Sequence, residues 1–203
     1  MSLTSSGLSL RERKKQRTAD DLFDAALRLF AERGYDEVSV EEICELAEVS
    51  RATFFRYYGT KAGLVAEFNH RLADRVHARI ARLKQPSATA QLFAMQDELA
   101  IAWTTCGPAV RAMALDFAHV VVVDAAKAPP PFPELLVLCT GIVADGQRSG
   151  EFGAQHAPAF VAATIAGLLG GITMHWLATR TGKLDRAMRD ALDLLITGLR
   201  NNP

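Results

Sequence analysis

Cysteine is scarce in this chain, net charge is absent, and one long stretch carries no charge at all. The three cysteines, Cys44, Cys106 and Cys139, are far apart and odd in number, with no Cys-x-x-Cys pair. A disulfide framework or a zinc module is therefore not expected, and a reducing cytoplasm fits. Lys plus Arg (23) balance Asp plus Glu (23), giving a formal net charge of zero. Bulk electrostatics thus point to no acidic or basic partner. Catalytic signatures are missing too. There is no Gly-x-Ser-x-Gly, no phosphate-cradling glycine loop ending in Gly-Lys-Ser/Thr, and no His-Glu-x-x-His. With no nucleophile–base pair in view, neither an enzyme nor a cofactor is expected.

What is present is ordinary for a folded domain: 49% hydrophobic and 23% charged residues over 203 positions. Strand alternation and internal repeats are not found, and the readable period is helical. Ala19, Phe23, Ala26, Leu27 and Phe30 form one apolar stripe, ended by Gly34. Ser39-Val40-Glu41-Glu42 is a capping box that starts a second helix at Val40. Glu48-Val49 makes a turn, and Ser50 caps a third helix. Thr60 is placed to cap a fourth, with Lys61 in its first turn, running to about Lys84. Further helical patterns cover Ala88–Cys106, Ala109–Ala128, Phe132–Ser149, Pro158–Thr179 and Leu184–Arg200. The expectation is an all-α protein of nine or ten helices.

Charge is distributed unevenly despite the zero sum. Residues 11–17 form a basic block read as an N-terminal arm, while Asp20–Glu48 is mostly acidic. Met1–Ser9 is small and polar, with no secretory pattern, and is expected to be disordered. A basic arm on a neutral protein can still neutralise phosphates. Ser50–Lys61 then packs two arginines, two phenylalanines, two tyrosines and a lysine into little more than three turns. A short helix, a tight turn and this helix together read as a helix-turn-helix. A major groove about 12 Å wide admits one α-helix. Arg51 and Thr53 lie in the first turn, the end that usually enters the groove. Arg51 can pair with guanine O6 and N7, and Thr53 can meet a thymine methyl or a phosphate. Arg56, Tyr57 and Lys61 are candidates for phosphates, and Phe54 and Tyr58, four apart, for the core. The alternative is that the four aromatics are core and the cations are merely solvated.

Residues 10–61 resemble the DNA-binding domain of TetR-family transcriptional regulators. The shared pattern is the basic arm, Ala25-Ala26-Leu27-x-Leu29-Phe30, Gly34-Tyr35, Val38-Ser39-Val40 leading to Ile43, Ala47, Val49-Ser50, Thr53-x-Phe55-x-Tyr57-Tyr58, and Lys61. The resemblance implies an all-α fold with a DNA-binding domain at 10–61 and a ligand-binding and dimerisation domain at 62–203. By position, Ser39, Arg51, Ala52, Thr53, Phe55, Tyr57 and Lys61 match family positions that touch DNA. Three residues depart from the pattern. Phe55 replaces a tyrosine whose hydroxyl meets a phosphate, Glu48 replaces a turn glycine, and Cys44 replaces an alanine and is expected to pack as a small buried side chain. The family habit implies a repressor that binds an inverted-repeat DNA operator as a homodimer and is released by a small-molecule effector.

The charge-free stretch, Phe152–Thr179, is long enough to span a bilayer. A membrane-anchored helical protein with a cytosolic DNA-binding module is therefore a competing reading. Ala163, Gly167 and Gly171 recur every four residues, so two helices could approach closely, in lipid or in a soluble interface. The resemblance favours a soluble homodimer with no membrane. It implies an interface of Ala163, Gly167, Gly170, Gly171 and Met174 with Leu135, Leu138 and Ile142 of the preceding helix, doubled into a four-helix bundle. The effector pocket is expected among Phe93, Met95, Trp103, Met113, Phe117, Met174 and Trp176, with Asp116, His119 and His175 as polar handles, for a mostly apolar ligand. Glu67, His70, Asp74 and His77 share one helix face, but no matching carboxylate motif exists elsewhere and four arginines lie on the same helix. A solvated surface, with no metal, is expected there.

Overall fold

The computed structural model describes residues 9–35, 37–61, 63–123 and 133–199, with backbone alone for residues 65 and 116–123. The protein is all-α. Among the described residues there are nine helices: α1 Leu10–Arg33, α2 Val40–Leu46, α3 Arg51–Tyr58, α4 Gly63–Ala81, α5 Ala88–Thr105, α6 Pro108–Val123, α7 Pro133–Arg148, α8 Pro158–Thr179 and α9 Leu184–Leu199. Three of them open on proline, whose fixed φ and missing N–H suit the first helical position. The end of the pattern expected over Ala109–Ala128 lies outside the described residues.

Two expectations about chain ends change. The basic block at 11–17 is not an arm but the first turns of α1. Ser9, expected to be disordered, is its N-cap: Ser9 Oγ accepts from the Glu12 N–H (3.2 Å), and Glu12 accepts from the Ser9 N–H (2.8 Å). This capping box extends the helix upstream of its apolar stripe. At the other end of the first half, α4 stops at Ala81 rather than near Lys84. Its last turn tightens through bonds from Arg82 N–H to Arg79 O and Leu83 N–H to Ile80 O. Gln85 then adopts a left-handed φ of 46°, which no helix can continue.

The chain forms two compact units. One runs up to Glu67 and includes Gly107–Met113; the other comprises Phe68–Cys106 and the chain from Ala114. In the first, Leu22, Ala26, Ile43 and Phe54 have no exposed surface. Burying each large one contributes about 1.5–3 kcal/mol against exposure. In the second, α9 buries Leu184, Met188, Leu192 and Ile196 at four-residue steps, while α8 buries Val161, Ala162, Ile165, Leu169, Thr173, Trp176 and Leu177. Glu151, in the α7–α8 connection, accepts hydrogen bonds from the Ala88 and Thr89 N–H groups (2.8 and 2.9 Å). It satisfies two donors of the α5 first turn that the helix itself cannot.

Between α2 and α3 the backbone reverses within Ala47–Val49. The Val49 N–H reaches Cys44 O (2.9 Å) and the Ala47 N–H reaches Ile43 O (3.0 Å). Glu48 has φ 54°, a conformation that crowds any Cβ against its own backbone. The resemblance drawn from the sequence implies a turn glycine at this position. Replacing Glu48 by Gly is expected to stabilise the protein by about 0.5–1 kcal/mol, the relief of left-handed strain less the entropy glycine adds to the unfolded chain. Urea denaturation of the two proteins measures it.

Candidate nucleic-acid interface

The interface is built from α2 inward. Ser39 caps α2, and Glu42 closes the box: its Oε2 accepts from the Ser39 N–H (2.8 Å) and hydroxyl (2.7 Å). Its Oε1 takes the Arg33 guanidinium at 2.7 Å. The Arg33 hydrogen bond, then those from Ser39, hold the Glu42 carboxyl at about 2, well below its ordinary 4.5. One carboxylate thus ties the end of α1 to the start of α2. Cys44 is buried among these helices. Burial, and then the nearby Glu41 charge, push its thiol up, so it packs as a small apolar side chain.

Ser50 caps α3 by accepting from the Thr53 N–H (3.2 Å), and its hydroxyl lies 2.9 Å from that of Thr53. Phe54 is wholly buried, its ring 5.5 Å from Tyr58 and 5.6 Å from Phe55. The half-buried Tyr58 donates its hydroxyl to Ala19 O on α1 (2.7 Å). With Phe54 and Tyr58 inward, the helical period turns Arg51, Ala52, Phe55 and Arg56 outward as one exposed strip. Thr53 and Tyr57 flank it, half-buried.

The cations of the stretch are not equivalent. The Arg56 guanidinium lies over the Tyr57 ring at 5.3 Å. The Arg51 guanidinium lies 5.7 Å from the Phe55 ring centroid and 2.7 Å from Glu41 Oε1. Lys61 precedes α4 rather than sitting in its first turn. Its ammonium donates to Tyr35 O (2.7 Å) and Val38 O (3.1 Å) and stands 4.0 Å from the centre of the Tyr35 ring. It braces the α1–α2 connection, which the sequence pattern did not disclose. Next to it, a Cβ on Gly63 would collide with the Tyr58 carbonyl, so that close approach requires glycine. Glu41 was not picked out from sequence. The signal was there: with Glu42 taken by the capping box, the adjacent carboxylate must point elsewhere.

The residues expected around an effector differ in their surroundings. Met95, Trp103 and Met113 are packed core, at most 3% exposed. Trp176 is also engaged: its Nε1 donates to Gly182 O (3.3 Å) and its ring carries Arg180 at 3.9 Å, closing the end of α8. Phe93 lines a groove of about 670 Å³ with Arg75, Arg79, Arg82 and Arg189. Met174 is half-buried and His175 exposed. The side chains of Asp116, Phe117 and His119 lie outside the described residues.

The expected interface residues divide by face. Ala163, Gly167 and Gly171 are exposed on α8, with Gly170 and Met174 at the margin. On α7, Leu138 is half-buried, but Leu135 and Ile142 are 7% and 3% exposed and belong to the chain's own core. They cannot also form an outer face. Val137, 73% exposed, and Gly141 occupy that side instead. On α4, His70 lies 3.9 Å from both Asp74 and Glu134, and no group of three metal-ligating side chains occurs among the described residues.

Because the Glu42 carboxyl is depressed, its ionised form stabilises the fold. That contribution is complete above pH 4.5 and lost as pH falls toward about 2. Glu42→Gln should therefore melt below the wild type at neutral pH, with the two melting temperatures converging over that acid window. Thermal unfolding followed by circular dichroism across pH reads it directly.

Comparison with known proteins agrees with this geometry. Residues 22–68 match the family model described as bacterial regulatory proteins, tetR family. The HTH-type transcriptional regulator TcmR of Streptomyces glaucescens is 47% identical over 58 residues, 29% of this chain and 26% of that protein. An uncharacterized HTH-type transcriptional regulator of Mycobacterium tuberculosis is 32% identical over 113 residues, 50% of this chain and 56% of that one. The chain thus spans between a quarter and a little over half the length of these curated relatives. Solved structures share the fold over nearly the whole chain. FadR of Thermus thermophilus, a TetR-family transcriptional repressor in complex with lauroyl-CoA, aligns with TM-score 0.71 at 24% identity, covering 91% of this chain and 97% of that one. A gamma-butyrolactone receptor (ArpA-like protein) aligns with TM-score 0.56 at 21% identity, covering 93% and 90%. Residues 22–68 are thus similar to the tetR family of bacterial regulatory proteins, and the fold of nearly the whole chain is that of the solved structures.

Proposed function

We propose that this protein is a cytoplasmic transcriptional repressor that binds an inverted-repeat DNA operator as a homodimer and is released by a small, mostly apolar effector. One observation carries the DNA-binding part: α3 is pinned by Phe54 and presents Arg51, Ala52, Phe55 and Arg56 as one exposed strip. On that reading Arg51 meets a base edge. Thr53, Arg56 and Tyr57 meet phosphates or the bases beside it. Phe55 offers an apolar face, suited to a thymine methyl, where a hydroxyl would have met a phosphate. Ser39 adds a contact at the start of α2. Lys61 acts indirectly by holding the α1–α2 connection.

A homodimer is supported by α8. Its outward face consists of Ala159, Phe160, Ala163, Gly167 and Gly171, with Phe160 61% exposed. By length and mean hydropathy (1.6) α8 is also the one helix among the described residues able to cross a membrane. We favour a protein interface because Val161, Ile165, Leu169, Trp176 and Leu177 pack against the chain's own helices, and the outward face, Phe160 apart, is made of small residues. Two recognition helices of a dimer must meet successive major grooves about 34 Å apart. An effector preferring another spacing would shift the population away from DNA. An effector with an apolar portion accords with the lauroyl-CoA bound by the Thermus FadR and with the receptor class of the second structure.

Selection from random duplexes tests the reading. The expected product is an inverted repeat. Arg51→Ala should lose about 1–3 kcal/mol of binding and relax one base position per half-site. An unchanged preference would remove Arg51 from the readout. A Cβ at Gly167 meets nothing within 4 Å, so Gly167→Leu fits the folded chain. It should weaken the dimer in analytical ultracentrifugation and weaken operator binding with it. Purification without detergent separates the dimer from a membrane anchor.

A further inference from the structure

We propose that Glu41 is a positioning and specificity-determining residue that governs when the Arg51 charge is offered to DNA. The inference rests on the DNA-binding reading above and adds to it a residue with no contact of its own to the bases. Glu41 sits in the first turn of α2, and Arg51 is the first residue of α3. The Glu41 Oε1–Arg51 Nη1 distance is 2.7 Å, with the side chains 52% and 62% exposed. The guanidinium also lies 5.7 Å from the ring centroid of Phe55, one turn along α3. Arg51 is therefore bracketed by a carboxylate from one helix and a ring from the other.

This bracket has a chemical consequence. Arginine forms bidentate pairs with both carboxylate and guanine, through the same donors. A phosphate can also draw the guanidinium, but only by giving up the Glu41 pair and by approaching the Glu41 charge. On non-specific DNA the pair stays closed, and Arg51 neutralises no phosphate. At the right base pair, guanine O6 and N7 can replace or share the carboxylate as acceptors. Glu41 thus penalises binding to arbitrary sequence more than binding to the operator, a form of specificity by repulsion. The other carboxylate of this turn cannot take the role, since Glu42 is held by Arg33 and Ser39.

The test compares wild type, Glu41→Gln, Arg51→Ala and the double variant. Each is titrated over a series of salt concentrations against a fixed random-sequence duplex and against the duplex enriched by wild type. Circular dichroism melting verifies folding. Glu41→Gln should bind the random duplex about two- to fivefold more tightly, the scale of one exposed ion pair. Its salt slope on that duplex should steepen by about 0.9, the signature of one further phosphate neutralised. The specific-to-random ratio should fall, and in the Arg51→Ala background the same change should alter the slope by nothing. An unchanged slope and ratio in Glu41→Gln overturn the proposal, as does an equal gain with and without Arg51, which would mean simple charge repulsion. If wild type enriches no sequence and binds neither duplex, the DNA-binding reading itself falls and the proposal with it.

Discussion

The burial of Phe54 is the constraint on which the exposed strip of α3 depends. An eight-residue helix is far too short to be stable alone in water. α3 exists because one wholly buried ring, one cap at Ser50 and one hydrogen bond from Tyr58 to Ala19 O fix it against its own unit. With Phe54 and Tyr58 committed inward, the period of the helix leaves no choice about which residues face out. The strip of Arg51, Ala52, Phe55 and Arg56 is thus specified by a core contact, not by any property of the arginines.

The charges around that pin have separate duties. Glu42 holds α1 to α2 through Arg33 and Ser39, while Lys61 holds the α1–α2 connection from the far end through two carbonyl oxygens. Both are charged groups serving as braces. Glu41 and Arg51 close a pair on the outer surface. A chain of zero net charge gains no long-range pull toward DNA.

Much of this was legible in the sequence, and the reasons are local. Caps are read within four residues, so the capping box of α2 and the Ser50 N-cap of α3 placed their starts correctly. Proline, glycine and a left-handed position are also local signals, and Pro158, Gly34 and Glu48 stand as expected. The all-α class follows from the sum of such signals. What escaped depends on partners distant in sequence. Lys61 reaches carbonyls 23 and 26 residues away, and no spacing rule connects them. Leu135 and Ile142 could have faced either side of α7; only packing within the chain decides that they face its core. The basic block was read as an arm because its charge masked a capping box formed with Ser9.

α8 shows why composition misleads where size does not. No Asp, Glu, Lys or Arg falls between Phe152 and Thr179, so no charged face marks the solvent side, and hydropathy alone reads the helix as membrane-spanning. Side-chain volume carries the missing information. Val161, Ile165, Leu169, Trp176 and Leu177 lie on the buried face, and Ala163, Gly167 and Gly171 on the exposed one. Large residues fill space that is fixed by the chain's own helices. Small residues have almost no rotamer entropy to lose on contact, and they let a second backbone come close enough for dispersion to act along the whole helix. A face designed only for water would have carried charges at these positions. At these positions the chain carries Ala and Gly instead, with Phe160 projecting beside them.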